Sequence, residues 1–199
     1  TVSYLGPEGT YTGQAAMLFF GDDASFYAEK TVSDAVATMV DGNCSYAVIP
    51  QENTVGGPVT AYIDELLSHD DISVVCETDL VIDQALLVKK GTKLSDIKVV
   101  CSHEQGLIQG KVWLEENLPS VETCIVSSTA EGARLASVSD GSVAAVASAA
   151  AAAVYDLEVY APRIQESDAN RTRFYALRVG EGEKEKSDRM LFSATGNVS

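Results

Sequence analysis

Short β-branched or aromatic runs alternate with stretches of helical periodicity along this chain, and that alternation restricts the fold more than any other feature. Residues 2–5 read as a strand, followed by a Gly/Pro turn and a helix over about 10–20. Residues 25–28 and then 31–40 repeat the theme, with Thr31 or Ser33 able to cap the helix by accepting from its first N–H groups. A strand at 46–49 and a helix at 59–67 follow. Later come strand and helix at 99–101 and 104–116, at 123–126 and 130–137, and at 143–146 and 147–155. Strands separated by helices of about ten residues predict an α/β protein with parallel sheets, because each helix returns the chain to the same end of its sheet.

Residues 72–90 break the rhythm. Ile72-Ser73-Val74-Val75, Leu80-Val81-Ile82 and Ala85-Leu86-Leu87-Val88 form one long β-rich stretch with no helical pattern, as a strand crossing between two lobes would. A second crossing is expected near 157–164. At 199 residues the chain is long enough for one large domain or for two lobes with a cleft between them. The Ala-rich segment 144–153 predicts a strand and helix packed closely on their neighbours, since Ala forms helix well and occupies little volume. Residues 181–189 are all charge, Gly and Ser and read as a solvated linker, after which Met190-Leu191-Phe192-Ser193 resembles the opening strand of a further unit.

The formal charge is −15, which repels nucleic acid and anionic membrane and argues against both as partners. The longest apolar run, 143–154, is too short to cross a bilayer. The cysteines at 44, 76, 101 and 124 contain no Cys-x-x-Cys pair. Cys76, Cys101 and Cys124 lie in or beside β-rich runs, where a free thiol is expected to behave as a small buried apolar group. That usage predicts no disulfide and a reducing cytosol. His69 and His103 have no ligand cluster around them, so no metal site is expected.

Chemistry is expected at the carboxyl ends of strands, where loops lead into helix N-termini. Gly6-Pro7-Glu8-Gly9-Thr10-Tyr11 is one such turn: it suits an anion at the helix start, or a tight turn with Thr10 as the cap. It carries neither Gly-Lys-[Ser/Thr] nor Gly-x-Gly-x-x-Gly, so ATP and NAD are unsupported. Pro50-Gln51-Glu52-Asn53-Thr54-Val55-Gly56-Gly57 follows the strand at 46–49; Asn53 and Thr54 can donate to a carboxylate or hydroxyl, and the glycines open space. Ser102-His103-Glu104-Gln105-Gly106 and Ser127-Ser128-Thr129-Ala130 occupy similar places, with helix capping as the plainer role for His103 and Thr129. Finally, Asn170-Arg171-Thr172-Arg173 enters the apolar run Phe174-Tyr175-Ala176-Leu177, which puts Thr172 and Arg173 at a strand entrance. Arg173 offers a forked donor for a carboxylate, or equally an ion pair with an acidic residue of the chain.

Taken in order, the segments 6–11, 49–57 and 169–177 resemble the catalytic domain of prephenate dehydratase, over roughly residues 2–180. Thr54 stands where members usually have Ser, and Glu104 and Gly106 replace their Pro and Ala, while His103 and Gln105 are retained. The resemblance implies two α/β lobes with a central cleft, similar to type II periplasmic binding proteins. Lobe 1 would comprise 1–80 with about 163–182, lobe 2 would comprise 81–162, and 183–199 would be a linker and the possible start of an ACT domain that is missing or truncated.

Carried over, the resemblance makes Thr172 the residue bearing the activity. Substrate contacts would come from Arg173, Phe174, Glu52, Asn53, Thr54, Gly56, Thr10, Ser102, His103, Gln105 and Thr129. A threonine hydroxyl is a poor acid at neutral pH, so a stronger donor behind it, Glu52 or His103, is expected. Aromatisation drives loss of water and carbon dioxide from prephenate, and the chemistry calls for no cofactor. The resemblance further implies a cytoplasmic homodimer or higher homo-oligomer, sensing L-phenylalanine only through the ACT domain. Two other functions compete: a non-catalytic small-anion receptor of the same two-lobed fold, which has no need of the Thr172 hydroxyl, and a decarboxylase that leaves the ring unaromatised. Arogenate in place of prephenate differs only in an amine for a keto group, and the residues do not choose between the two.

Overall fold

The computed structural model describes residues 1–54, 57, 58, 68, 69 and 71–180. The helix expected at 59–67, the loop residue Gly56, the linker at 181–189 and the apolar segment 190–193 lie outside the described residues.

The strands collect into two sheets. The first takes β1 (Val2–Leu5), β2 (Phe26–Glu29), β3 (Tyr46–Asn53), β5 (Ile72–Val81) and β11 (Arg171–Val179) in the order β2-β1-β3-β11-β5, with the short β4 (Gly57–Pro58) against the end of β3. The second takes β6 (Ala85–Lys89), β7 (Val99–Ser102), β8 (Glu122–Ile125), β9 (Val143–Ala147) and β10 (Leu157–Ala161) in the order β10-β6-β9-β7-β8. Each is mixed rather than parallel. β1 pairs parallel with β2 and β3, but β11 runs antiparallel between β3 and β5. Likewise β7 is parallel to β8 and β9, while β6 is antiparallel to β9 and β10. The antiparallel strands are those next to the crossings, where no helix is interposed to turn the chain round.

Helices cover both faces of each sheet. In the first, α1 (Tyr11–Phe20) and α2 (Val32–Val40) lie on opposite sides. The pleat divides β3 between them: Val48 packs with Ala15, Ala16, Phe174 and Tyr4, while Ala47 and Ile49 pack with Val32, Val36 and Met39. Burial on both faces is why these strands read as unbroken apolar runs. In the second, Ala145 and Ala147 meet Ala133 and Ala136 of α5 (Thr129–Val138) and Ala151 and Ala152 of α6 (Ala149–Val154). On the other face, Ala144 and Val146 meet Leu114 and Leu118 at the end of α4 (Lys111–Asn117). The close packing expected of the Ala-rich segment is realised. A Cβ on Gly132 of α5 would fall 2.6 Å from the Cys101 carbonyl oxygen, so helix and strand here are nearly in backbone contact.

Several local expectations are corrected. The helix expected at 104–116 is divided at Gly110 into α3 (Glu104–Gln109) and α4, with Gly110 at φ −91°, ψ 4°. β3 continues through Pro50 and Glu52 to Asn53 rather than ending at Ile49, because β11 and β4 pair with that extension. Thr31, not Ser33, caps α2 by accepting from Asp34 N. Cys44 and Cys101 are buried, but Cys124 is half-buried and Cys76 is exposed on β5, whose outer edge has no strand partner among the described residues.

Among the described residues the chain passes between sheets twice, at 82–84 and at 162–170, the second crossing starting only after β10 has completed its place in the second sheet. The two segments run together. Ile82 N donates to Asn170 O (2.8 Å), Ile164 N to Gln84 O (2.8 Å) and Gln84 N to Gln165 Oε1 (2.9 Å). Gln165 Nε2 donates to Asp83 Oδ1 at 2.8 Å, and Arg163 pairs with Asp168 at 2.8 Å. Direct contacts also join the halves: Tyr11 Oη donates to Asp83 O, Gln14 Nε2 to Ser148 Oγ (3.0 Å) and Tyr155 Oη to Glu8 O (2.8 Å).

Candidate active site

Register builds the centre of the site. In the β3–β11 ladder Thr172 sits opposite Asn53, so their side chains emerge together at the end of the sheet beside the second crossing. Asn53 Nδ2 donates to Thr172 Oγ1 and to Asn170 Oδ1, each at 2.8 Å. Asn53 and Thr172 are half-buried, and Asn170 is 6% exposed. The donor beside Thr172 is therefore the Asn53 amide, not the Glu52 or His103 expected from sequence. Glu52 is exposed and its ladder position faces Arg173 and Pro58. His103 uses one ring nitrogen on a helix: its Nδ1 accepts from Gln105 N at 3.2 Å as the cap of α3.

Other expected contacts are already engaged within the protein. Thr54 ties the end of β3 to the second crossing, with Oγ1 donating to Ala169 O (2.8 Å) and accepting from Arg171 N (2.9 Å). Its single proton is used there, so it is a clip rather than a donor to a bound molecule. Arg173 forms the rival ion pair: Nε and Nη2 donate to Asp79 Oδ1 (2.9 Å) and Oδ2 (3.2 Å) across the β11–β5 ladder, where the two are direct partners. That fork, through its hydrogen bonds first and then its charge, holds the Asp79 carboxyl below its usual range.

Two expected site residues are core. Phe174 is 1% exposed and packs with Tyr4, Ala15, Ala16 and Val48; a bulge in the β3 ladder between Arg173 and Phe174 marks the change from rim to core. Ser102 is fully buried, and its Oγ donates to Val146 O at 2.6 Å. Buried groups so satisfied cannot meet a solute.

Thr10 caps α1, its Oγ1 accepting from Gly13 N and donating to Leu5 O, each 3.3 Å. In the second sheet Ser128 rather than Thr129 caps α5, accepting from Glu131 N at 3.0 Å. Thr129 is the first helical residue, half-buried against Gly106. Gln105 is exposed. The carboxyl ends of β1, β7 and β9 thus each lead into a capped helix start, at Thr10, His103 and Ser148. A cavity of about 710 Å³ lies alongside, lined by Tyr4, Gly6, Pro7, Glu8, Tyr155 and the β2 residues, and Thr172 is not on its wall. Burial, and then the negative charge of Glu8, pushes the Tyr4 phenol up to about 12. Among the described residues no group of three or more His, Cys, Asp or Glu is placed to hold a metal ion. Nor, among them, is any helix long and apolar enough to cross a membrane.

Asn170 and Asp79 escaped the sequence reading. Asn170 stands two residues before Thr172, a spacing that on one strand sends both side chains to one face. Nothing in the sequence marks Asp79, because only the β5–β11 register brings it opposite Arg173.

The family model described as prephenate dehydratase matches residues 2–181. Among curated relatives, the bifunctional chorismate mutase/prephenate dehydratase of Aquifex aeolicus is 38% identical over 177 residues, which cover 88% of this chain and 48% of that protein. The prephenate dehydratase of Lactococcus lactis subsp. lactis is 34% identical over 191 residues, 96% of this chain and 66% of that one. The solved structure of prephenate dehydratase from Arthrobacter aurescens in complex with L-Phe superimposes with a TM-score of 0.82 at 30% identity, covering 91% of this chain and 61% of that one. The chain spans about half the length of the bifunctional relatives it matches. With that match running through both sheets and every strand described here, the chain belongs to the prephenate dehydratase family.

Proposed function

We propose that this chain catalyses the decarboxylating dehydration of prephenate to phenylpyruvate, with Thr172 acting on the departing ring hydroxyl. One observation carries the reading: Thr172 Oγ1 accepts from Asn53 Nδ2 at 2.8 Å. A hydroxyl has one proton, and an amide N–H pointing at its oxygen leaves that proton to be donated elsewhere. Accepting also strengthens donation, since hydrogen bonds in a chain polarise one another.

In the reaction the ring C–O bond breaks with its electron pair going to oxygen. The bond to the ring carboxylate breaks with its pair entering the ring, and one proton is taken up. Phenylpyruvate, carbon dioxide and water result. Thr172 stabilises the charge growing on the leaving oxygen by donating to it, and that proton is restored from solvent. The helix starts at Thr10 and Thr129 favour the substrate's carboxylates, with the exposed His103 and Gln105 as further donors. Glu52 stands at the rim. Arg173 enters through the terminal nitrogen left outside its fork with Asp79.

The same reading takes the two α/β halves, 1–80 with 163–182 and 81–162, as lobes that enclose prephenate. It places the chain in the cytosol, where its cysteines stay reduced, and makes it a homo-oligomer. Incubation with prephenate and, separately, with arogenate tests it. Phenylpyruvate and carbon dioxide from prephenate are expected; a folded chain that converts neither sinks the assignment, and action on arogenate alone corrects the substrate.

A further inference from the structure

We propose that Asn170 is a positioning residue that sets the direction of the Thr172 hydroxyl by fixing which edge of the Asn53 amide faces it. The inference rests on the role given to Thr172 above.

The side-chain amide of Asn53 has two unlike ends: nitrogen carries both protons, and oxygen only accepts. Rotated by half a turn, it would present oxygen to Thr172. The threonine would then spend its proton on Asn53, and none would remain for a leaving group. Neither size nor shape distinguishes the two orientations, so a neighbour must. Asn170 Oδ1 is such a neighbour. It accepts from Asn53 Nδ2 at 2.8 Å, the same distance at which Nδ2 meets Thr172 Oγ1. In the rotated orientation two carbonyl oxygens would confront each other with no proton between them, in a place where Asn170 is 6% exposed and water gives little relief.

The backbone holds Asn170 for this purpose. Its carbonyl oxygen accepts from Ile82 N at 2.8 Å. On one side Ala169 O takes the Thr54 hydroxyl at 2.8 Å. On the other Arg171 N donates to Thr54 Oγ1 at 2.9 Å, and Arg171 O accepts from Thr54 N at 2.9 Å. Three successive residues are pinned, so the backbone that carries the Asn170 acceptor is held beside the Asn53 amide. The clip made by Thr54 and the first crossing at Ile82 therefore reach Thr172 through Asn170 and Asn53.

The acceptor is what matters, and that separates this role from mere packing. Asn170→Ala removes the oxygen and should lower kcat tenfold or more with KM changed less than threefold. Asn170→Asp keeps an acceptor of the same shape and should recover most of that loss at neutral pH. As the introduced carboxyl is protonated its recovery should fade, giving an acid-side loss of kcat that neither the wild type nor Asn170→Ala shows. Asn170→Ala within threefold of wild type, or Asn170→Asp no better than Asn170→Ala at any pH, overturns the proposal. A readout independent of turnover guards against misfolded variants: in wild type labelled with ¹⁵N-asparagine, the Asn53 side-chain protons should exchange slowly with solvent. Exchange as fast as that of an exposed amide overturns the proposal too. Wild type inactive on both substrates instead removes the reaction assigned to Thr172, a failure that the amide exchange does not share.

Discussion

Asn53 Nδ2 lies 2.8 Å from Thr172 Oγ1, and the two residues are also direct partners in the β3–β11 ladder. Residues 119 positions apart meet because a crossing segment returns the chain to the first sheet and enters it antiparallel, beside the strand that carries Asn53. The pairing of the two strands thus places the Thr172 side chain before anything binds, as the role proposed for it requires.

Removing that hydroxyl should cost rate and not fold. Thr172→Ala is expected to reduce turnover by roughly 10²-fold or more, the scale of a lost charge-stabilising contact. The side chain is half-buried at the rim, so the circular dichroism spectrum should match that of wild type. Thr172→Ser, which keeps the donor, should retain more activity than Thr172→Ala. Steady-state kinetics on both variants decide the point, and unchanged turnover in Thr172→Ala would leave the residue without its role.

The pair of Arg173 and Asp79 gives a pH-dependent contribution to stability of known sign. Hydrogen bonding to Arg173 depresses the Asp79 carboxyl in the folded state. Its stabilisation is therefore present above the ordinary carboxyl value and lost as pH falls through the depressed one. With side chains 41% and 43% exposed, the pair should contribute less than about 1 kcal/mol after solvent screening. Asp79→Asn is expected to lower the urea midpoint slightly at neutral pH and to converge on wild type in acid. A difference that grows on acidification contradicts the assignment.

Much of this arrangement was legible in the chain, and the illegible parts share a cause. Alternation of apolar runs revealed the α/β class, and the break at 72–90 revealed a crossing, because both are local signals. Thr10 as a helix cap also follows from its neighbours alone. Mixed sheets did not show, since strand direction depends on the partner and not on the strand. The same holds for Arg173, whose ion pair with Asp79 is a fact of register, and for Phe174, which one bulge turns from the rim into the core. Asn170 was missed although it stands in the same short segment as Thr172, because its value lies in what its oxygen does to Asn53.

Phe174 separates core from contact. Buried to 1% among Tyr4, Ala15, Ala16 and Val48, it should cost about 3–5 kcal/mol when changed to Ala and distinctly less when changed to Leu, which refills most of the space. Denaturant unfolding of both variants measures this. If Phe174 only packs, the folded fraction of Phe174→Leu should keep the wild-type KM; a large rise in KM with little loss of stability would return it to the substrate.

Ser102 and Gly106 form a matched pair. A Cβ added at Gly106 would fall 2.4 Å from Ser102 Oγ, closer than van der Waals contact allows. The hydroxyl cannot easily swing away, for it is fully buried and donates to Val146 O at 2.6 Å. Gly106→Ala alone should therefore destabilise, despite the usual preference for Ala inside a helix. Ser102→Ala removes the obstructing oxygen, leaving Ser102 Cβ 3.5 Å and Thr129 Cγ2 3.3 Å from the new methyl, distances that need a shift of only a few tenths of an ångström. The double variant should thus be more stable than the sum of the singles, by about 1 kcal/mol or more of coupling, in a double-mutant cycle read by urea unfolding. Additive effects within about 0.3 kcal/mol would mean that helix α3 moves off the strand instead, and that Gly106 is not there to make room for Ser102.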